Sequence, residues 1–340
     1  FALFEQSETG PIDLDAVLRD KLKALNNKSF EVVIGAGSLS PDAPSSIALA
    51  FVLDRETISV ERFGGVYKVL VSLSAQALFF DFKEMAVVST YPLSATYIHT
   101  QSREPSQEEI RGLVANMYVG AGKQNMFDRF VRTLAESKLN TNVKRRIQVT
   151  EVSVDPEVIK MLPAFWRSNP EDFGAFLSQQ FGRSLSENQD IPVLPFTKGH
   201  AVGNRMSASF AEGKVYMLEL PEPDYSVSLS LRKLVKIPYA QVAAGASYIY
   251  GSYLHVRAEE PLSGREYLNT TIKNGEIKKV PVTQTEVDDW PAYQESILRL
   301  MDKFTAEVSS PSKDWVKKHI GDADARKQIA GFGKVVQSCR

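Results

Sequence analysis

The chain has 340 residues, with 40 basic and 41 acidic side chains that give a net charge of −1. Hydrophobic residues make up 43% and charged residues 24% of the sequence, which is ordinary for a globular protein and excludes disorder of the whole chain. The charges are mixed and form no stripe that would follow a phosphate backbone, so the sequence predicts no nucleic-acid partner. This length has room for two or three hydrophobic cores.

Cysteines and long apolar runs are almost absent. Cys339 is the only cysteine, so no disulfide bond can form within the chain. No run reaches the roughly 18–20 apolar residues of a membrane-spanning helix, and the sequence therefore predicts no transmembrane segment. The sequence begins at Phe1 and not at Met, which is expected after removal of a secretory signal peptide or after another trimming event.

The first half predicts a helix followed by an antiparallel meander. Residues 13–25 have the apolar spacing of a helix, and the Val- and Ile-rich residues 29–36 predict a strand. Extended segments at 47–60, 66–82 and 85–99 follow and are joined by turn residues. In the second segment successive residues alternate with a period of two, which predicts one thoroughly buried face.

Helices and one further strand complete this half. Ser106 and Glu109 have the spacing of a capping box and predict a helix that runs toward Val119. A strand at 145–154 and a helical region at 157–181, broken by two prolines, come later. The helix between them is predicted from an apolar stripe made by Phe127, Phe130, Val131 and Leu134.

The second half has a similar order of elements. Residues 191–196 predict a short apolar strand, and residues 214–220 and 225–232 predict a hairpin-like pair. Strands at 246–258 and 265–272 follow, joined by a turn that contains Pro and Gly. Paired strands therefore come before helices in this half, as they do in the first.

The end of the chain predicts a turn and helices. Asn274-Gly275 is a tight-turn signal that would continue the sheet. A helix that opens at Asp289 and one or two short amphipathic helices over 312–337 then close the second half. The inward stripe of the first of these helices is predicted to be Trp290, Tyr293, Ile297, Met301, Phe304 and Val308.

These patterns predict the α+β class, with two related domains that each consist of a mainly antiparallel sheet with helices packed on one face. We place the boundary near residues 184–190. The N-terminal domain then covers residues 1–188, and the C-terminal domain with its closing helices covers residues 189–340.

The segment FEVVIGAGSLSP (30–41) superficially has the form of a dinucleotide-binding turn. Gly35 and Gly37 are present, but Ser40 stands where the third glycine should admit the start of a helix. Pro41 and Pro44 fall where that helix should run, so we interpret the segment as a turn or bulge after a strand. No cofactor is predicted.

The segment YVGAGKQ (118–124) is a second incomplete nucleotide motif. A phosphate-binding loop needs Gly at the position of Met117 and Ser or Thr at the position of Gln124. We therefore predict that Gly120 or Gly122 ends a helix.

No hydrolase or metal motif is present around the four histidines, His99, His200, His255 and His319. The acidic pairs Asp54/Glu56 and Glu259/Glu260 are typical of solvated strand faces and turn edges. Cys339 has no local partner that would activate it. The sequence therefore identifies no catalytic, cofactor-binding or metal-binding residue.

Residues 196–210 (FTKGHAVGNRMSASF) form the most unusual stretch. Lys198, His200, Asn204 and Arg205 are combined with two glycines, so this loop has the donors to hold an anion or a partner's carboxylate. We favour the alternative that it is a solvent-exposed connection between strands. The basic run at 144–146 is likewise read as a solvated strand start. Most of the six tyrosines of the second sheet are expected in the core or in cross-strand pairs, namely Tyr225, Tyr239, Tyr248, Tyr250, Tyr253 and Tyr267.

Four segments resemble the amino-terminal domain of TolB and the curli-secretion lipoprotein family. They are LDAVLRDKLKALNNKSFEVVI (14–34), VLVSLSAQALFFDFKEMAVVSTYPL (69–93), VLPF (193–196) and ASYIYGSYLHVRAEEPLSGREYL (246–268). The resemblance implies an exported, non-enzymatic protein, periplasmic or associated with the outer membrane, that acts by contact with other envelope proteins. No amphipathic membrane hairpin is evident, so the resemblance does not imply pore formation.

Our leading hypothesis is a protein-binding or assembly component of the bacterial envelope, with strand addition or self-association at unpaired sheet edges. Peripheral membrane contact stays open. One alternative is a hydrolase in which His200 or His255 meets carboxylates from distant segments, and another is a module that binds lipid or saccharide in an apolar pocket.

Overall fold

The computed structural model describes ten stretches of the chain: residues 13–34, 47–63, 65–121, 125–139, 145–196, 205–209, 215–243, 245–281, 286–320 and 324–340. Up to residue 189 the elements are α1 (Leu14–Lys23), β1 (Ile47–Phe63), β2 (Val66–Asp81), β3 (Ala86–Gln101), α2 (Gln107–Val119), α3 (Met126–Glu136), β4 (Ile147–Val154), α4 (Pro156–Met161), α5 (Ala164–Arg167) and α6 (Pro170–Gln189). The later elements are β5 (Arg205–Ser209), β6 (Val215–Glu219), β7 (Tyr225–Val242), β8 (Gly245–Glu260), β9 (Arg265–Pro281), α7 (Trp290–Glu307), α8 (Lys313–His319) and α9 (Ala325–Gln337).

The chain divides into two compact units. Unit 1 comprises Phe1–Thr141 and Gly199–Pro221, and unit 2 comprises Asn142–Lys198 and Glu222–Arg340. This division differs from the predicted boundary at residues 188 and 189. The difference arises because β4 pairs with β7 and α6 packs against α7, so both elements belong with the later strands. The predicted boundary region lies within or just after α6.

Unit 1 has a five-stranded sheet in the order β1-β2-β3-β6-β5. The predicted meander is confirmed, since β1, β2 and β3 pair antiparallel along their whole lengths. The predicted buried face of β2 is confirmed, and the opposite face is buried as well, because residues 68–80 are buried without interruption. One face packs against α2 and α3 through Val114, Phe127 and Phe130. The other face carries Leu78 and Phe80, which join Leu218 and Leu220 in a second apolar cluster.

Unit 2 has a four-stranded sheet in the order β4-β7-β8-β9, in which only β4 and β7 run parallel. Helices α6, α7 and α9 pack against this sheet. The predicted inward stripe of α7 is confirmed, because all six residues from Trp290 to Val308 that define it are buried. The α+β class is therefore confirmed, with a mainly antiparallel sheet and helices in each unit.

Several local predictions are confirmed. The helix predicted over residues 13–25 is α1, and Ser106 and Glu109 form the complete capping box of α2. Gly120 is the C-cap of α2, as the failed phosphate-loop motif indicated. The predicted tail helices are α8 and α9. Within the described ranges, no helix is both long enough and apolar enough to cross a membrane.

Four predicted strand features are wrong. Residues 191–196 form no strand, and Leu194 makes only an isolated bridge to Gln148. Residues 29–34 form no strand, since this segment packs as irregular chain with the Phe30 ring 5.3 Å from that of Phe79. Residues 214–220 and 225–232 do not form a hairpin, because β6 pairs with β3 and β5 whereas β7 lies in the other sheet. Asn274-Gly275 makes no turn. It lies inside β9, where Asn274 is buried opposite Ser252.

Candidate functional site

Several sequence candidates lie outside the described residues. These are the glycine run at 35–40, Lys123 of the second motif, Lys144 and residues 197–204 of the donor-rich loop. The end of that loop is described, and residues Arg205–Ser209 form β5, which pairs with β6. The part of the predicted loop that the structure describes beyond residue 204 is therefore a strand.

The described histidines do not assemble a nucleophile and base. His255 Nδ1 lies 3.1 Å from Thr271 Oγ1, and burial, helped by the charge of Arg232, lowers the pKa of His255. The nearby Glu266 carboxylate instead accepts a 2.7 Å hydrogen bond from Arg257. In the described part of the chain, no group of three or more His, Cys, Asp or Glu residues could hold a metal ion.

Cys339 is a buried core residue. Its thiol is fully enclosed beside Val335, and burial raises the pKa of the thiol to about 12. Because the thiolate is the reactive form, this cysteine is chemically inert at neutral pH.

The acidic pair Asp54/Glu56 is separated by a β-bulge in β1 between Leu53 and Arg55. Both oxygens of the Asp54 carboxylate accept a 3.0 Å hydrogen bond from the Gln76 side-chain amide. The Glu56 carboxylate instead accepts a 2.8 Å hydrogen bond from the Tyr118 hydroxyl. The protein packed around the Asp54 carboxyl raises its pKa above the ordinary value. The bulge therefore gives the two carboxylates different partners, and they do not form an acid–base pair.

The other charged sequence candidates are held in ion pairs. Arg145 lies 3.0 Å from Asp224 and 3.4 Å from Glu260, and Glu259 lies 2.6 Å from Arg257. The pairs of Arg145 join the start of β4 to the start of β7 and the end of β8, whereas the pair of Arg257 and Glu259 lies within β8. The described part of the basic run is thus a structural feature, as the sequence indicated.

Four of the six tyrosines of unit 2 pack as the sequence predicted, and Tyr239 and Tyr253 do not. The rings of Tyr225 and Tyr267 lie 5.9 Å apart, and those of Tyr248 and Tyr250 lie 6.5 Å apart. Tyr239 is 61% exposed near the end of β7, and Tyr253 on β8 is half-buried.

The sheet edges are the structural feature on which protein binding would depend. The edge strand β1 is 17 residues long and, among the described residues, pairs only with β2. The edge strands β4 and β5 have 8 and 5 residues. Part of the β9 edge is covered, because Ile320 bridges to Ile272 and the Gln328 side chain accepts the Asn269 N–H.

Strand β1 has two parts of different character. Residues 47–53 (IALAFVL) contain no charged side chain, and their side chains are buried or half-buried on both faces. From the bulge onward the strand carries five charged residues: Asp54, Arg55, Glu56, Glu61 and Arg62. Bulges and charges are the usual protection of an edge against unwanted pairing, and the first part of β1 has neither. We call residues 47–53 the open edge.

A second surface is formed by the outer parts of three strands in unit 2. We call residues 232–242 of β7, 245–253 of β8 and 273–281 of β9 the distal arm. On the face toward α7, Asp289 accepts hydrogen bonds from Lys236 Nζ at 2.8 Å and from the Tyr250 hydroxyl at 2.5 Å. This contact fixes the start of α7 to the middle of the arm.

A second ionic cluster holds the same face of the arm further along α7. Lys303 Nζ lies 3.0 Å from both Asn274 Oδ1 and Glu276 Oε1, and Arg299 lies 3.3 Å from the other oxygen of Glu276. These partners outweigh the effect of partial burial and lower the pKa of Glu276. The polar side chains on the face of the arm toward α7 therefore have hydrogen-bonding or ion-pair partners on α7.

Comparison with known proteins gives only distant similarity. No family model matches the chain, and no curated protein matches it. A minor lipoprotein from Acinetobacter baumannii is 8% identical with a TM-score of 0.23, over 52% of this chain and 98% of that one. A neuraminyllactose-binding hemagglutinin homolog from Helicobacter pylori is 11% identical with a TM-score of 0.27, over 52% and 90%. A DUF330 protein from Xanthomonas campestris is 10% identical with a TM-score of 0.19, over 48% and 81%. Similarity at this level carries no functional argument.

Proposed function

We propose that the chain is a non-enzymatic, exported protein of the bacterial envelope that binds other proteins by strand addition at the open edge of β1. The observation that carries this proposal is that residues 47–53 are an uncharged part of an edge strand whose described backbone pairs on one side only. An added strand would supply the missing main-chain partners.

The character of the open edge supports an extended partner. In strand addition the backbone provides affinity, while side chains that alternate between two faces provide selectivity. The side chains of residues 47–53 alternate between the cluster around Phe127 and the cluster around Leu218. An incoming strand would therefore continue two apolar layers, and a partner with alternating apolar residues would fit.

The envelope location rests on the resemblance to the TolB amino-terminal domain and the curli-secretion lipoproteins. That resemblance includes residues 69–93, which form most of β2 and the first half of β3. Domains of that group act by contact with other envelope proteins. The partner is accordingly an envelope protein or a second copy of this chain.

A hydrolase stays the alternative. It would need His200 or His255 within reach of a carboxylate, and the described hydrogen bond of His255 goes to Thr271. The arrangement of the described residues favours binding over catalysis.

Proline substitution at the open edge tests the proposal. Of two adjacent edge residues, one N–H points to the neighbouring strand and the other points outward. We expect one of the variants Leu49→Pro and Ala50→Pro to lose thermal stability, because it breaks a bond to β2. The other variant should have nearly the same thermal unfolding midpoint as the native chain but should no longer bind its partner.

The readout is the adduct formed by the full chain after chemical cross-linking in intact cells, with each adduct identified by mass spectrometry. Val60→Lys, at a 41% exposed position of β1 beyond the bulge, is the matched control and should keep the adduct. Sedimentation of the purified chain distinguishes self-association. If the stable proline variant retains every adduct, binding does not use this edge.

A further inference from the structure

The distal arm has one face that no described helix covers. On β8 the Ser252 hydroxyl lies 2.9 Å from that of Ser296 on α7, so Ser252 points toward the helices. Because successive strand residues point to opposite faces, Gly251 and Tyr253 point away from the helices. On β9 the same alternation buries Asn274 and leaves Gly275 and Ile277 exposed. We call this side of the arm the open face.

The middle of the open face consists of glycine and apolar residues. Gly251 and Gly275 are opposite each other in the register. A Cβ atom on Gly251 would lie 2.7 Å from a Val235 methyl carbon, and one on Gly275 would lie 2.9 Å from an Ile249 methyl carbon. The side chains of Val235 and Ile249 therefore lie across the two glycines and cover the backbone.

The apolar surface continues to the end of the arm. Ile237, Ile249 and Ile277 are aligned across the three strands, and Ile237 and Ile277 are 48% and 51% exposed. Beyond them Tyr239 and Val242 are 61% and 67% exposed. No Asp, Glu, Lys or Arg occurs between Lys236 and Arg257, so the hairpin tip formed by β7 and β8 is uncharged.

Positive charge surrounds this apolar surface. Lys233, Lys273 and Lys279 are exposed at open-face positions of the arm and have no ion pair with the described residues. The open-face positions of the arm contain no acidic residue. The acidic side chains on the opposite face are paired with basic ones, namely Asp289 with Lys236, Glu276 with Lys303 and Arg299, and Glu295 with Lys278 and Arg299. Glu286, on the connection to α7, is exposed.

We propose that the distal arm docks on the surface of an anionic phospholipid bilayer. Charge complementarity selects a negatively charged surface, because the unpaired charges of the open face are all basic. The uncharged tip requires a partner that can bury apolar side chains. The boundary between lipid headgroups and acyl chains can bury them. An exposed tyrosine close to the tip is typical of that boundary, and lysines reach from it to the lipid phosphates.

The proposal is independent of strand addition at β1, since it concerns residues of unit 2 only. It assigns the membrane contact to the distal arm alone. The turn between β8 and β9 provides an internal comparison. Leu262 is 99% exposed there but stands among charged residues, Glu259, Glu260 and Arg265.

A fluorescence experiment on the full chain tests the docking. Cys339 is buried, so a cysteine introduced at an exposed site can be labelled selectively with an environment-sensitive dye. We expect the dye on Val242→Cys to shift to the blue when phosphatidylglycerol vesicles are added. We expect no shift with phosphatidylcholine vesicles, and none for the dye on Leu262→Cys with either lipid.

Lysine variants test whether binding depends on the lysines of the distal arm or only on the total positive charge of the chain. Replacing Lys233, Lys273 and Lys279 together with Gln should weaken co-sedimentation with the anionic vesicles by roughly 100-fold, at about fivefold per lysine. The matched control replaces Lys313, Lys317 and Lys318, which are exposed on α8, and should bind as the native chain does. The tip variant Tyr239→Ser with Val242→Ser should also lose binding while its thermal unfolding is unchanged.

Three results would overturn the proposal. The first is equal binding of the distal-arm and α8 lysine variants, and the second is no dye shift at Val242 with anionic vesicles. The third is a shift at Val242 with soluble polyglutamate but not with vesicles, which would identify an acidic polypeptide as the occupant.

Discussion

His319 shows at the scale of one residue how burial couples stability to pH. Its side chain is 7% exposed, its Nδ1–H donates a 2.8 Å hydrogen bond to the Lys273 carbonyl, and its ring stacks on Trp315. Burial, together with the charges of Lys303 and Lys318, lowers the pKa of His319 below the ordinary value of 6.5. The neutral imidazole is therefore the form that the core accepts.

The sign of the pH effect follows from this shift. Between the lowered pKa and 6.5 the unfolded chain binds more protons than the folded chain, so the contribution to stability is present above pH 6.5 and is lost as pH falls. We expect the free energy of unfolding to decrease less on acidification from pH 7.5 to 5 in His319→Gln than in the native chain. Chemical denaturation at several pH values measures this. His99→Gln, at a half-buried histidine on β3, is the control, and parallel curves for all three proteins would contradict the argument.

At this scale the sequence predicted local contacts and missed distant ones. The capping box at Ser106 and the C-cap at Gly120 depend on residues three or four positions away, so their spacing was sufficient. Asn274-Gly275 has an equally local turn signal, but Asn274 hydrogen-bonds to Glu276 and to the Ser296 carbonyl on α7. That tertiary environment keeps the pair in an extended strand and overrides the turn preference.

The packing of α9 on the end of α7 depends on a close approach at the scale of elements. A Cβ atom on Gly333 would lie 2.4 Å from the Val308 carbonyl oxygen, so no side chain fits there without moving the helices apart. Two residues earlier on α9, a Cβ atom on Gly331 would lie 3.6 Å from the Tyr267 carbonyl oxygen, which is an ordinary contact.

These two glycines give a matched pair of substitutions. We expect Gly333→Ala to lower the free energy of unfolding by about 1–3 kcal/mol, because the helices must separate. Gly331→Ala should raise it by up to about 1 kcal/mol, because alanine favours the helix and nothing obstructs it. Urea denaturation measures both changes. A stable Gly333→Ala protein would mean that α9 does not approach α7 this closely.

Element types were largely predictable, and their partners were not. The period of two in residues 66–82 and the apolar stripe of α7 identify a strand and a helix from the chain itself. The sequence of β6 does not show that it pairs with β3 across more than a hundred residues, and the assignment to a hairpin with β7 was therefore wrong. The open edge of β1 was equally hidden, since only the strand order identifies an edge.

At the scale of the whole molecule, the two compact units predict how the chain can be divided. Helix α6 contributes Phe173, Leu177 and Phe181 to the core of unit 2, and Gln189 at its end donates a 2.6 Å hydrogen bond to the Thr305 carbonyl on α7. A fragment that begins at residue 189 lacks this helix and β4. A fragment that begins at residue 142 contains every element of unit 2.

We therefore expect the fragment 142–340 to unfold cooperatively and the fragment 189–340 to lack a cooperative transition. Circular dichroism during thermal unfolding, with the full chain as reference, measures the difference. Cooperative unfolding of the shorter fragment would show that the sequence-based boundary is sufficient and that α6 is dispensable.

The insertion of β5 and β6 into the sequence of unit 2 also has a consequence for biosynthesis. The ribosome makes the meander of unit 1 first, then β4 and α4–α6, and only then the strands that complete the cluster around Leu78 and Phe80. The nascent chain must therefore present an unfinished apolar layer until residue 221 has been synthesised. Such a delay is the interval in which a holdase chaperone would act.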